Sequence, residues 1–239
     1  MIRFLLWDVD GTLLDFKAAQ KAALQRLFPV FGFGECDEEM VKRYSLINDK
    51  YWQKLERGEI DKQQCLVGRY EEFFAKEGLD PKRAAEFNER YLNALPDTII
   101  YRDDSLEIVR SLIGKVKQYI VSNGTTVVQN RKLKESGFAE LMDGVFLSEA
   151  LGIEKPALAF FDKVFEELDI KDKSEVMIVG DSLTSDIRGG MNANIKTCWY
   201  NPEKKPVPEN YRVDHVIYDL HELKDCLDAE NADSAYILP

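Results

Sequence analysis

The stretch Leu5–Asp15, LLWDVDGTLLD, decides the fold. A short apolar run ends in two aspartates one residue apart, Asp8 and Asp10, followed by Gly11 and Thr12. Residues two apart in an extended chain point to the same side, so Asp8 and Asp10 can face one pocket while Val9 faces the core. Gly11 permits a tight turn that other residues resist. A calcium loop is excluded, because D-x-D-G-T lacks the third ligand and the later glycine of the EF-hand pattern and follows a strand instead of a helix. Taken alone, the motif also fits a pair of turn or capping aspartates.

Working outward, three more apolar, β-branched-rich runs read as buried strands, KQYIVSN, EVMIVGD and KTCWY, with DHVIYD as a weaker one and DGVFLSE as a further short one. Helical patterns separate them, over residues 105–113, 127–136, 157–168, 184–193 and 220–228. Strand and helix in alternation predict a parallel α/β sheet of Rossmann-like form. One gap breaks the rhythm: over a hundred residues lie between Asp8 and the strand near Gln118, where a βαβ unit needs about 30 in all. The intervening sequence holds four amphipathic stretches, DFKAAQKAALQRLFPVF, CDEEMVKRYSLINDKYWQKLERG, DKQQCLVGRYEEFFAKEG and DPKRAAEFNERYLNAL, divided by Gly, Pro and Asp. The expected organisation is therefore an α/β core of residues 1–14 and 98–239, with a four-helix insert, residues 15–97, hanging over the end of the carboxylate strand as a cap.

Composition narrows the chemistry. The 239 residues are 45% apolar, enough for a sizeable core, and no stretch approaches the length of a membrane span or carries a signal pattern. A soluble cytoplasmic protein is expected, with no membrane partner. A formal charge of -11 argues against a nucleic acid polymer as partner. Cys36, Cys65, Cys198 and Cys226 lie far apart and read as reduced packing residues. With only His215 and His221 available, imidazole triads and multi-histidine metal sites are improbable, so carboxylates must carry the chemistry.

Ligands of open α/β sheets bind at the carboxyl ends of strands. YIVSNG ends in Ser122 and Asn123, VMIVGDS in Gly180 and Asp181, and GIEKP presents Lys155 just before an expected proline-started helix. Acids converging at one point repel unless a positive charge sits between them, and a magnesium ion, satisfied by one or two carboxylates, waters and substrate phosphate, answers that need. Asp186, expected in the first turn of the next helix, could steady metal-bound water. Singly, Ser122 also reads as a helix cap, Lys155 as a solvated lysine and Asp186 as a first-turn acid.

In this order, DVDGT, SNG, KP and GDSLTSD resemble the four motifs of the haloacid dehalogenase-like superfamily, in the subgroup with a helical cap inserted after the first strand. That resemblance spans nearly the whole chain except the last ten residues. It implies Asp8 as a nucleophile forming an aspartyl-phosphate, and Asp10 as the acid that protonates the leaving alcohol and then activates water. It implies magnesium held by Asp8, Asp181 and the Asp10 carbonyl, phosphoryl oxygens bound by Ser122, Asn123 and Lys155, and Asp186 in the outer shell.

Asp10 discriminates within the superfamily. Halide release needs no proton, and the superfamily's dehalogenases lack this aspartate, so a carbon-halogen hydrolase is not expected. INDKYWQKLERGEI followed by GRYEEFF is similar to bacterial pyrimidine 5'-nucleotidases, which makes a small phosphate ester, a nucleoside 5'-monophosphate foremost, the implied substrate. Asn48 and Trp52, four apart on one helical face, could offer an amide and a ring to a base, while Trp52 reads equally as interhelical core. Sugar-phosphate hydrolysis, a β-phosphoglucomutase-like phosphotransfer and a non-catalytic protein of the same fold are the alternatives. The sequence is compatible with a monomer or a dimer.

Overall fold

The computed structural model describes residues 1–235, and side chains as far as residue 232, so part of the last ten residues lies outside the described residues. The chain divides into two compact units, Met1–Asp15 with the chain from Tyr101 onward, and Phe16–Ile100. These divisions fall one and three residues from the boundaries expected at 14/15 and 97/98.

Elements of the first unit follow the expected alternation. β1 (Phe4–Trp7) precedes the inserted helices α1 (Phe16–Val30), α2 (Glu38–Glu56), α3 (Lys62–Glu77) and α4 (Ala84–Ala94). After them come α5 (Ser105–Ser111), β2 (Lys117–Ser122), α6 (Thr126–Glu135), β3 (Gly144–Leu147), α7 (Ser148–Leu151), α8 (Leu158–Glu167) and β4 (Val176–Gly180). A π-helical turn, Leu183–Ile187, leads into α9 (Arg188–Ala193), and β5 (Lys196–Tyr200), β6 (His215–Ile217) and α10 (Leu223–Ala235) complete the unit. One expected detail fails. Pro156 does not start a helix: α8 begins at Leu158 behind an Ala157 cap, and the cis-linked Pro156 lies in the loop before it.

The six strands are parallel and ordered β3-β2-β1-β4-β5-β6. The carboxylate strand β1 is therefore central, with Trp7 in register with Ile120 on one side and Val179 on the other. The direction of winding reverses between β1 and β4, and this switch point opens the crevice in which such sheets bind ligands. Alternation along the strands sends Leu6, Val176 and Ile178 into one core layer with Phe160, Phe161 and Val164 of α8. On the opposite side, the indole of Trp7 donates to Gln118 Oε1 at 3.1 Å, and Gln118 Nε2 donates to the Val109 carbonyl at 3.0 Å. The buried indole N–H of Trp7 and the amide of Gln118 are thereby satisfied.

In the helical unit, Asp37 caps α2 through the Met40 amide, and Asp61 with Gln64 forms a reciprocal capping box on α3. The interior is aromatic: Phe28, Phe73, Phe74, Phe87, Tyr44, Tyr70 and Tyr91 are fully buried. Arg69 is buried among them. It donates to Asn48 Oδ1 at 2.7 Å and Asn88 Oδ1 at 3.0 Å, and its guanidinium lies 5.0 Å from the centre of the Tyr70 ring.

Candidate active site

Four loops at the carboxyl ends of β1, β2 and β4 and before α8 bring the expected residues together. The amide of Asp8 donates to the Val179 carbonyl at 3.0 Å, which fixes the first aspartate beside β4. Gly11 then turns the chain at φ 103°, and a Cβ there would stand 2.5 Å from Asp181 Oδ2. Gly180 is required by space: its Cβ would fall 2.2 Å from Asp186 Oδ2. Both glycines let the carboxylates close on β1, and Thr12 Oγ1 spans Asp8 Oδ2 and Asp181 Oδ1 at 3.3 Å each.

Lys155 is 1% exposed and ties the group together. Its ammonium donates to Asp186 Oδ1 at 2.6 Å, the Val121 carbonyl at 2.7 Å and Asp8 Oδ1 at 3.0 Å. Burial works against the charged lysine, yet the carboxylates of Asp186 and Asp8 outweigh it and hold Lys155 above its ordinary value. Asp8 is pushed up to about 7, by burial first and then by the charges of Asp186 and Asp10, with Lys155 pulling the other way. Asp181 keeps an open side and is raised as well, by the protein packed round its carboxylate and then by Asp8 and Asp186.

Oxygens of Asp8, Asp181 and Asp186 lie within 4.8 Å of one another. This all-oxygen donor set fits a hard divalent cation. The three acids differ in what they can offer, since Asp186 holds Lys155 and the Ser182 amide at 2.6 and 3.1 Å, more closely than Asp8 holds Lys155 and Thr12 at 3.0 and 3.3 Å. Asp8 and Asp181 are the better donors.

Two side chains expected to meet substrate are engaged within the protein. The side chain of Asn123 is turned onto the backbone of Lys155, accepting from its amide and donating to its carbonyl, both at 2.8 Å. That pairing sets the Lys155 loop and engages the side chain expected to bind phosphate. Ser122, 2% exposed, accepts from the Gly124 amide at 3.0 Å and retains a hydroxyl proton to donate. In the helical unit, Asn48 is 2% exposed and its oxygen accepts from Arg69, so the amide expected to meet a base is built into the interior. Trp52 is half-buried, with the Lys62 ammonium 5.3 Å from its ring centre.

Sequence reading missed two residues. Gln129 Nε2 donates to Asp10 Oδ2 at 2.5 Å, and the Lys132 ammonium donates to Asp10 Oδ1. Both lie on α6, buried with Val128 and Leu133. An amide and an ammonium interrupting the apolar stripe of a helix were the available signal.

Comparison with known proteins agrees with the geometry. Residues 5–200 match the family of haloacid dehalogenase-like hydrolases. The HAD-hydrolase YfnB of Bacillus subtilis is 34% identical, over 96% of this chain and 97% of its own. Its magnesium-bound crystal structure superposes with a TM-score of 0.86 over 95% of this chain and 99% of that one. Pyrimidine 5'-nucleotidase PynA of Streptococcus pneumoniae is 35% identical over 95% of both chains. Pyrimidine 5'-nucleotidase YjjG of Escherichia coli is 29% identical over 94% of this chain and 97% of its own. With its aspartate-bearing strand at the switch point of a parallel sheet and its helical insert directly after that strand, the chain belongs to the family of haloacid dehalogenase-like hydrolases.

Proposed function

We propose that this enzyme is a magnesium-dependent phosphatase that hydrolyses small phosphate monoesters through an aspartyl-phosphate on Asp8, with pyrimidine nucleoside 5'-monophosphates as preferred substrates. The observation that carries the reading is the pair Asp8 and Asp10, two residues apart but placed against different cations, Lys155 and Lys132. One carboxylate is set beside a charge that offsets its own and that of an incoming phosphate, as a nucleophile requires. The other keeps an open side for moving protons. Asp8 attacks phosphorus, the ester P–O bond breaks, and Asp10 delivers a proton to the departing oxygen. Asp10 then takes a proton from the water that hydrolyses the acyl phosphate, which returns both residues to their starting state.

Asp8, Asp181 and the main-chain carbonyl of Asp10 would hold the magnesium, with Asp186 behind them. When bound, it supplies the positive charge that lets two anions approach. Ser122 and Lys155, with the main chain at Asn123, bind phosphoryl oxygens. The nucleotide preference rests on the two named nucleotidases and on Trp52, whose ring keeps exposed surface in the helical unit.

Phosphate release over a panel of metabolite phosphates tests the reading. Uridine and thymidine 5'-monophosphates are expected to exceed glucose 6-phosphate and phosphoglycolate in kcat/KM. A tenfold lead for a sugar or small-acid phosphate, about 1.4 kcal/mol of transition-state preference, would remove the nucleotide preference. Isomerisation of a sugar phosphate without phosphate release would replace the phosphatase by a phosphomutase. Turnover is expected to stop in excess chelator and return with added magnesium, and full activity in chelator would refute the metal.

A further inference from the structure

We propose that Gln129 and Lys132 are positioning residues that clamp the Asp10 carboxylate, one oxygen each, in the orientation needed for proton transfer with the ester oxygen. The inference rests on the phosphatase reading above. Gln129 and Lys132 stand three apart on one face of α6, with 0% and 1% exposure, while the Asp10 side chain keeps 23% of its surface open. Asp10 therefore has a held side and a free side. It sits in a tight loop, in which the amides of Leu13 and Leu14 both donate to the Val9 carbonyl. That loop fixes the backbone but leaves the carboxyl free to rotate about its own side-chain bonds. Two donors from one helix remove that freedom.

Gly124 gives an independent sign that the clamp is built. A Cβ at this position would lie 2.2 Å from Gln129 Nε2 and 2.7 Å from its Cγ, so the glutamine crosses directly over the glycine on its way to Asp10. The third residue of the SNG motif is small because the clamp needs the space. The amide is oriented by Asp10 alone, since Gln129 Oε1 is buried without a hydrogen-bond partner among the described residues. An ammonium buried where a leucine would fill the stripe is strongly disfavoured unless it is paired, and Lys132 meets Asp10 at the end of that path. Proton transfer rewards such rigidity, because a donor displaced by about 1 Å can cost on the order of 100-fold.

The experiment compares uridine 5'-monophosphate, an alkyl ester whose leaving oxygen needs a proton, with 4-nitrophenyl phosphate, whose leaving group departs as a stable anion. kcat/KM reports the steps through cleavage of the ester bond, so hydrolysis of the shared acyl phosphate does not enter it. Lys132→Met and Gln129→Met are each expected to lower kcat/KM on the nucleotide on the order of 100-fold, the scale of a general-acid contribution. On the aryl ester the loss should be under about fivefold, as little proton transfer is needed there. Lys132→Arg, which restores a charged donor, should recover the nucleotide rate to within about tenfold. Gly124→Ala should copy Gln129→Met, and the exposed neighbour Lys134→Met should change neither ester. Equal losses on the two esters, or no rescue by arginine, would overturn the clamp while leaving the phosphatase intact. A wild-type enzyme that hydrolyses neither ester would refute the phosphatase reading itself. Should Lys132→Met fail to fold, Gln129→Met carries the same comparison.

Discussion

Replacing Lys155 by methionine keeps the length of the side chain and removes its charge. Two buried carboxylates and the Val121 carbonyl then lose the donor they share at 2.6 to 3.0 Å. Removing one partner of a buried ion pair costs about 3–5 kcal/mol, because the charge left behind has neither water nor counter-ion. Asp186→Asn should cost about 1–3 kcal/mol, since the amide oxygen still accepts from the ammonium while its NH2 faces the Ser182 amide that the second carboxylate oxygen accepted. In the double variant the orphaned charge at 186 no longer exists, so the lysine's removal should cost about 2 kcal/mol less than it does alone. The expected coupling, about 2 kcal/mol, lies within the range measured for residues in one buried network. Urea unfolding at pH 8, in chelator so that no cation stands in for the lysine, measures all four proteins. Additivity within about 0.5 kcal/mol would show that Lys155 and Asp186 do not share the network described here.

Asp8→Asn should abolish turnover while the protein stays folded, because the amide fills the same space but does not attack phosphorus; activity above a few per cent, with contamination excluded, would remove Asp8 as nucleophile. The same variant isolates a pH dependence. Folding raises the Asp8 pKa from 3.8 to about 7, so the folded state binds the extra proton and its ionisation counts against folding as pH climbs. In chelator, wild-type stability should therefore fall relative to Asp8→Asn between pH 5 and pH 8, by at most about 3 kcal/mol, and the opposite slope would contradict the burial argument. Trp52→Ala should reorder substrates, by about 1–3 kcal/mol where a base stacks on the ring, whereas an equal loss on nucleotides and sugar phosphates would leave Trp52 a packing residue.

The sheet was legible because its central strands are apolar runs of a kind that few other elements produce, and the insert because a hundred residues cannot cross one βαβ unit. The acids were legible because they follow those strands immediately. What stayed hidden depends on contacts no local pattern encodes. Asp10 meets Gln129 and Lys132 across more than a hundred residues, and only the packed core brings the inner face of α6 against the loop after β1. For Asn123 the motif gives the residue and not the direction of its side chain, which turns to the Lys155 backbone. A proline after Lys155 suits the first turn of a helix, yet an identical residue also fixes a loop, and Pro156 does the latter. Asn48 and Trp52 share a helical face by spacing, but Arg69, twenty-one residues on, claims the asparagine from within.

Charge explains why the site is assembled with two lysines and not one. The chain carries a formal charge of -11, and a phosphate ester adds up to two more negative charges at the place where acids already crowd. Asp8, Asp10, Asp181 and Asp186 meet Lys132 and Lys155, so with every group ionised two negative charges remain. One divalent cation cancels that remainder and a monovalent ion leaves half of it. The lysines divide the rest by position: Lys155 stands against Asp8, the acid proposed to attack, and Lys132 against Asp10, the acid proposed to move a proton. A single lysine between Asp8 and Asp10 would bind both carboxylates to one charge and make the proton on one depend on the state of the other. On the proposed mechanism, separate partners would let Asp8 become an acyl phosphate while Asp10 keeps its place for the water that follows.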